Sequence, residues 1–215
     1  MNLNERFVIT INRELGSGGR TVGRKLAERL GVPFYDKALI NALQEKYHLT
    51  VDEIEKLKGR SHSWWAEFKR TLRIGTLQSE TNYYQVKMGE EPDILTTDEM
   101  FNTEKEILNG MVADESCIVA GRSGFYVFRN HPNRLSILIQ ASMDFRVHRV
   151  SQKQGLTPEE ARKTIEKVDK MRENYVNKYT KTSRYDPRNY DLVISADGKT
   201  EDEIVDLVLF YIGQK

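Results

Sequence analysis

The stretch Arg13–Gly31, "RELGSGGRTVGRKLAERLG", follows the apolar run Phe7–Ile11, "FVITI". Its reading decides the fold. A short β-branched run bounded by polar residues predicts a buried strand. Val22, Leu26 and Leu30 then recur every four residues, the stripe of an amphipathic helix, and Gly31 is placed to stop it. Between strand and helix lie Gly16, Ser17, Gly18, Gly19, Arg20 and Thr21. Glycines that take positive φ let successive backbone N–H groups converge on an anion, and a helix N-terminus adds favourable partial charge. Gly16, Gly18 and Gly19 are the candidates for that backbone. Arg20 supplies a bidentate cation suited to phosphate, and Thr21 a hydroxyl able to ligate Mg²⁺. The strict phosphate-loop pattern G-x-x-x-x-G-K-[ST] has glycine where this chain has Glu14 and lysine where it has Arg20. The alternative is a flexible strand–helix turn carrying an exposed arginine. A carboxylate beside a polyphosphate is repulsive unless it is paired; Arg13 or Arg24 are candidate partners, and holding Mg²⁺ through water is another role for Glu14.

Outward from this stretch, further strands are expected at "VPFYD" from Val32, "SCIVAG" from Ser116, "RLSILIQ" from Arg134 and "YDLVIS" from Tyr190. Compact apolar runs of this kind suit a parallel sheet with helices on both faces. Ser142 caps a helix running to about Gln154, which Gly155 closes. Thr157, Pro158 and Glu160 stand at N-cap, N1 and N3 of the next helix, and "TEDE" from Thr200 repeats the capping-box pattern. The alternation of strand and helix predicts an α/β doubly wound fold. Residues 37–111 read as mostly helical, without a clear strand.

The 215 residues suit one domain with an insertion or small lid, and 39% hydrophobic with 30% charged residues suits a globular chain. Net charge is only +1, which does not point to nucleic acid. No apolar run approaches a membrane span, and "MNLNERFVITINRE" lacks a signal peptide's long apolar segment, so a cytoplasmic location is expected. The single cysteine, Cys117, excludes an intramolecular disulfide and reads as a buried, inert thiol. His48, His62, His131 and His148 show no metal-ligand spacing. Trp64 and Trp65 fit a core or interface as well as a stacking role.

Two further constellations carry chemistry. "VAGRSG" puts Gly121 and Arg122 just past the carboxyl end of a strand, where ligands bind in open α/β sheets. An arginine there holds phosphate or carboxylate through two parallel hydrogen bonds. From Ala141 to Tyr190 there are twelve lysines or arginines against seven acids, an excess of +5 that leaves the rest of the chain net acidic. Arg146 and Arg149 share one helix face, as do Asp169 and Arg172 on the next, with Tyr175 and Tyr179 four apart. Concentrated cations serve phosphoryl transfer, whose transition state spreads negative charge over the moving group. For each arginine alone, a solvated surface charge is the competing reading. Asp186 before Pro187 reads as a turn, and Asp191 as a strand start.

Together, "ITINRELGSGGRTVGRKLAERLGVPFYDKALI", "VAGRSGFYVF" and "DKMRENYVNKYTKTSRYDPRNYDLVI" resemble the cytidylate kinase-like family, a branch of the nucleoside monophosphate kinases. The resemblance touches nearly the whole chain and is weakest in its middle. It implies a P-loop kinase fold: a five-stranded parallel sheet flanked by helices, a helical NMP-binding insertion at about 41–111, and a lid at about 146–187. The core is then 1–40, 112–145 and 188–215. It also implies ATP as donor, Mg²⁺, and CMP or dCMP as first acceptor. Gly16, Ser17, Gly18, Gly19, Arg20 and Thr21 then hold the donor phosphates, with Thr21 on the metal. Arg20, Arg172, Arg146 and Arg149 are the candidate catalytic cations, and Arg122, Ser123 and Asp36 the acceptor side. Two positions depart from cytidylate kinases. Ser123 stands where they have aspartate, and Ala42 where they have an acceptor-phosphate arginine. Those departures keep open a kinase for another small metabolite. The Arg20 and Glu14 spellings keep open a nucleotide sensor without turnover. Nucleic acid and membrane are not expected partners, and the oligomeric state is not legible.

Overall fold

A computed structural model describes residues 1–36 and 98–213. The chain divides into two compact units, Met1–Phe34 with Glu115–Lys215, and Tyr35–Asp114. Five strands, β1 (Val8–Arg13), β2 (Phe34–Asp36), β3 (Cys117–Ala120), β4 (Arg134–Gln140) and β5 (Leu192–Ser195), form one sheet in the order β2-β3-β1-β4-β5. β1 runs parallel to both β3 and β4, with Val8 opposite Cys117 and Arg134; β4 runs parallel to β5. This is a five-stranded parallel α/β sheet of the P-loop kinase type, as the resemblance implied.

The described helices are α1 (Gly19–Leu30), α2 (Asp98–Asp114), the short α3 (Gly124–Val127), α4 (Met143–Gln154), α5 (Pro158–Thr180) and α6 (Glu201–Gly213). Of the expected stripe on α1, Val22 and Leu26 are fully buried and Leu30 partly so. They pack with Ile9, Ile11, Ile137, Ile139, Ile194, Ile204, Val205 and Val208 into the main core, formed where α1 and α6 cover the sheet. Each such aliphatic side chain contributes about 1.5–3 kcal/mol by leaving water. Cys117 is a buried free thiol, as expected. Ala42 and the pair Trp64–Trp65, like residues 41–97 of the expected insertion, lie outside the described residues.

The expected helix starts are all present. Ser142 Oγ accepts from Phe145 N, and Gly155 closes α4 in the left-handed region. Thr157 and Glu160 complete a capping box with Pro158 inside it, and Thr200 pairs with Glu203 the same way. A second, smaller core of Val150, Ala161 and Ile165 joins α4 to α5, and Leu15 packs on it. The side chain just before the first glycine therefore anchors the glycine-rich segment to α4 and α5.

Asp197, between β5 and α6, accepts from Ser142 N at 3.0 Å, Ser142 Oγ at 2.5 Å and Ser195 Oγ at 2.7 Å. These hydrogen bonds, that from the Ser142 hydroxyl first, hold its carboxyl down at about 2. A carboxylate depressed in the folded state stabilises above its unfolded pKa of about 3.9 and loses that contribution as pH falls through its folded value. The contact between the start of α4 and the β5–α6 turn is therefore expected to fail between about pH 4 and pH 2. Asp197→Asn should flatten the acid limb of a stability-against-pH curve in that window and leave its neutral limb parallel to the parent's.

Candidate functional site

β1 ends at Arg13, and the chain turns through Glu14–Gly18 into α1. Gly16 and Gly18 have φ of +86° and +83°, as the phosphate-loop reading requires. Gly19 does not. It is the first residue of α1, and its need for glycine is a close approach: an added Cβ would lie 2.6 Å from Arg13 Cβ. Ser17 also departs from expectation. It is buried, and both its amide (3.3 Å) and its hydroxyl (3.0 Å) donate back to the Glu14 carbonyl oxygen. Its polar groups shape the loop rather than face an anion. The remaining donors are those of the first turn of α1, which have no intrahelical acceptor and include no acidic residue among their own side chains. Arg20 and Thr21 belong to this turn.

Glu14 is paired, but with neither of the expected arginines. Its Oε2 accepts from Ala141 N at 3.0 Å and lies 3.7 Å from Arg146 Nε. Arg13 is instead buried, its guanidinium filling the space where Gly121 lacks a side chain. The carboxylate at the position of the motif's first glycine thus ties the loop to the segment after β4.

The basic segment is built around Asp169, which is buried on α5. Its Oδ1 accepts from Leu15 N at 3.0 Å and Arg172 Nη1 at 3.3 Å, with Arg184 Nη1 at 3.5 Å. Its Oδ2 accepts from Arg146 Nη1 at 2.6 Å. Arg146 was expected among the lid cations. It is instead a buried strut, with its backbone against Gly16 and its guanidinium directed at Asp169 and Glu14. Arg184 is wholly buried; it donates to the carbonyl oxygens of Arg13 and Asp169 and to Asn12 Oδ1. Burial pulls its pKa down, and neighbouring Arg172 adds to that.

Arg149 pairs with Glu201 at the start of α6, and this pair flanks Gly18: an added Cβ there would meet Arg149 Cζ at 3.5 Å and Glu201 Cγ at 3.6 Å. Lys153 lies in the same field. Its pKa is lowered, by burial first, then by Arg149, with Arg24 and Arg20 adding to the effect and Glu201 opposing it. Four cations therefore gather about the start of α1. Lys153 and Glu201 escaped sequence reasoning, because their approach depends on how α4, α6 and the loop pack.

Past β3, Gly121, Arg122 and Ser123 have φ of +82°, +51° and +53°, three successive left-handed residues of which two carry side chains. Such strain is held only where surrounding contacts over-determine it, and it clusters at functional sites. The Arg122 guanidinium lies 5.0 Å from the ring centre of Tyr175, which packs in turn on Tyr179 at 5.1 Å. Burial pushes the Tyr175 hydroxyl up to about 12, so it keeps its proton at neutral pH. Ser123 is buried, and its Oγ has no hydrogen-bond partner among the described residues. Asp36, buried at the end of β2, belongs to the other compact unit.

Asp186 and Asp191 are structural, as read from the sequence. Asp186 caps the turn Pro187–Asn189, and Asp191 pairs with Arg134 and accepts from Ser136 N. Among the described residues, no group of three His, Cys, Asp or Glu could hold a metal ion, and no helix is long and apolar enough to cross a membrane.

Residues 8–197 match the model of the cytidylate kinase-like family. A cytidylate kinase from Methanopyrus kandleri is 27% identical over 200 residues, covering 91% of this chain and 88% of that protein. An S-adenosylmethionine-dependent nucleotide dehydratase from Lacinutrix mariniflava is 25% identical over 203 residues; the match takes in 94% of this chain but only 35% of that protein. The crystal structure of an uncharacterized protein from Eubacterium ventriosum superposes with a TM-score of 0.70 at 22% identity, covering 97% of this chain and 99% of that one. That last likeness bears on the fold alone.

Proposed function

The chain belongs to the cytidylate kinase-like family, and from that premise we propose that it transfers the terminal phosphoryl group of ATP to a small anionic metabolite. The fold and family are those of P-loop phosphotransferases that act on small metabolites. The observation that carries the proposal is the turn after β1, where Gly16 and Gly18 take positive φ, α1 starts at Gly19, and Arg149 lies against Gly18. An acceptor oxygen attacks the γ-phosphorus, its bond to the bridging oxygen breaks, and ADP leaves with that electron pair. Arg20 spans the outer donor phosphates, and Arg149 and Arg172 offset the charge that spreads over the moving group.

The residues suit Mg²⁺. A hydroxyl one residue after Arg20 is a hard oxygen donor, and Mg²⁺ is characteristically held by few protein oxygens, the substrate phosphates and water. Thr21 would hold it, and the ion would neutralise charge on the donor phosphates.

On the acceptor side we assign Arg122 to a phosphate or carboxylate, with Ser123 next to it on the same turn; Asp36 is assigned there by the family's pattern alone. Ser123 in place of aspartate, on a strained turn, favours a metabolite other than a cytidine nucleotide. The 27% identity to a cytidylate kinase supports CMP or dCMP as the second reading. ADP release should be measured with CMP, dCMP, UMP, AMP and GMP, and with phosphorylated and carboxylated sugars. Turnover confined to a non-nucleotide acceptor supports the first reading, and turnover confined to CMP and dCMP the second. ATP binding without turnover on any acceptor would reject both in favour of a sensor.

A further inference from the structure

Three arginines converge on the Asp169 carboxylate, and they differ in exposure. The side chain of Arg184 is 0% exposed, that of Arg146 8% and that of Arg172 23%. The two buried ones hold Asp169 from opposite sides: Arg146 bonds Oδ2, while Arg184 reaches Oδ1 and the Asp169 carbonyl oxygen. The carboxylate plane is thereby fixed. What Oδ1 then holds is the Leu15 amide of the phosphate loop and the most exposed guanidinium, that of Arg172. Arg172 Nη1 also lies 3.4 Å from the Arg13 carbonyl oxygen at the end of β1. One oxygen atom thus registers a solvent-accessible cation on α5 against the loop that follows β1, although Leu15 and Asp169 are 154 positions apart.

We propose that Asp169 is a positioning residue: through Oδ1 it holds the Arg172 guanidinium in register with the phosphate loop, so that this cation meets the donor already oriented. The proposal rests on the kinase reading above. An arginine side chain loses much rotamer freedom at any site where it must order, and a fixed carboxylate removes much of that cost before the donor arrives. Asp169→Asn keeps an oxygen for the Leu15 amide but gives up the charge that orients Arg172.

The test is a double-mutant cycle of Asp169→Asn and Arg172→Met, read in kcat, in the KM for ATP and in melting temperature. If Asp169 acts through Arg172, Asp169→Asn lowers kcat about tenfold or more in the parent and no more than about twofold once Arg172 is gone, because residues acting as a unit are strongly non-additive. An equal factor in both backgrounds would overturn the proposal, since a merely structural carboxylate costs the same whether or not Arg172 is present. Should Asp169→Asn melt without cooperativity, Asp169→Glu replaces it. The longer arm keeps the charge but shifts the shared oxygen, and the same coupling is expected. If the parent itself turns over no acceptor, the kinase reading fails separately. The cycle is then read in ATP dissociation constants by titration calorimetry, where coupling between the two positions still supports the proposal and additivity still ends it.

Discussion

Arg20→Met is expected to lower kcat by about 10³-fold or more while moving the melting temperature by only a few degrees. The rate term follows from the position. Arg20 is the second residue of α1, where the helix dipole and the first-turn amides already favour an anion. A cation there acts where charge develops, and deleting a transition-state arginine costs about 10³–10⁵ in kcat, which is about 4 kcal/mol of barrier at the lower end. The stability term is small for two reasons. Methionine and arginine have nearly equal helix propensity. Arg20 is also only partly buried, and its charge is one of those that lower the Lys153 pKa, so removing it eases repulsion at Lys153. Arg20→Lys, which restores the commoner phosphate-loop residue, should retain most of the activity, although a point charge cannot make the bidentate contact. Initial rates at saturating ATP, set beside thermal unfolding of the same preparations, check this. Activity and melting temperature falling in parallel for Arg20→Met would place the residue in the scaffold.

Much of the fold was legible because its signals are local. "FVITI", "SCIVAG" and "RLSILIQ" are apolar runs whose burial needs no knowledge of their partners, and Thr157-Pro158-x-Glu160 carries its helix start within four residues. Gly16 and Gly18 took the backbone expected of them for the same reason. Where the expectation failed, a contact that the residue pattern does not show decided the outcome. Gly19 is required by the approach of Arg13, and the hydroxyl of Ser17 turns inward to the Glu14 carbonyl. Arg146 and Arg149 do share a helix face, but one meets Asp169 and Glu14 and the other meets Glu201. No count of charges between Ala141 and Tyr190 separates a buried strut from a cation beside the loop. The left-handed turn at Arg122 and Ser123 was hidden as well, since neither residue type favours positive φ.

The largest stability effect is expected at Arg184, the member of the Asp169 cluster that shows no surface at all. Its guanidinium donates to Arg13 O, Asn12 Oδ1, Asp169 O and Asp169 Oδ1, and its own carbonyl oxygen accepts from Tyr190 Oη at 2.6 Å. It therefore fastens the end of β1 to α5 and to the segment before β5. Burial works against its charge, yet an arginine does not give up its proton, so the charge persists in the interior with Asp169 as its counter-ion. Arg184→Met has nearly the right volume but strands the carbonyl of Arg13 and shifts the balance at Asp169. Breaking one partner of a buried ion pair costs about 3–5 kcal/mol, which for a chain of this size corresponds to about 6–20 °C in melting temperature. Arg188, four residues on, supplies the control. It pairs with Asp186 in the same segment, but its side chain is 88% exposed, and solvent screens such a pair. Arg188→Met should therefore melt within about 2–4 °C of the parent. Equal melting temperatures for the two variants would mean that the buried guanidinium contributes no more than a surface one, and that β1 and α5 are joined by their other contacts, those of Arg172 with Arg13 O and of Leu15 with Asp169 among them.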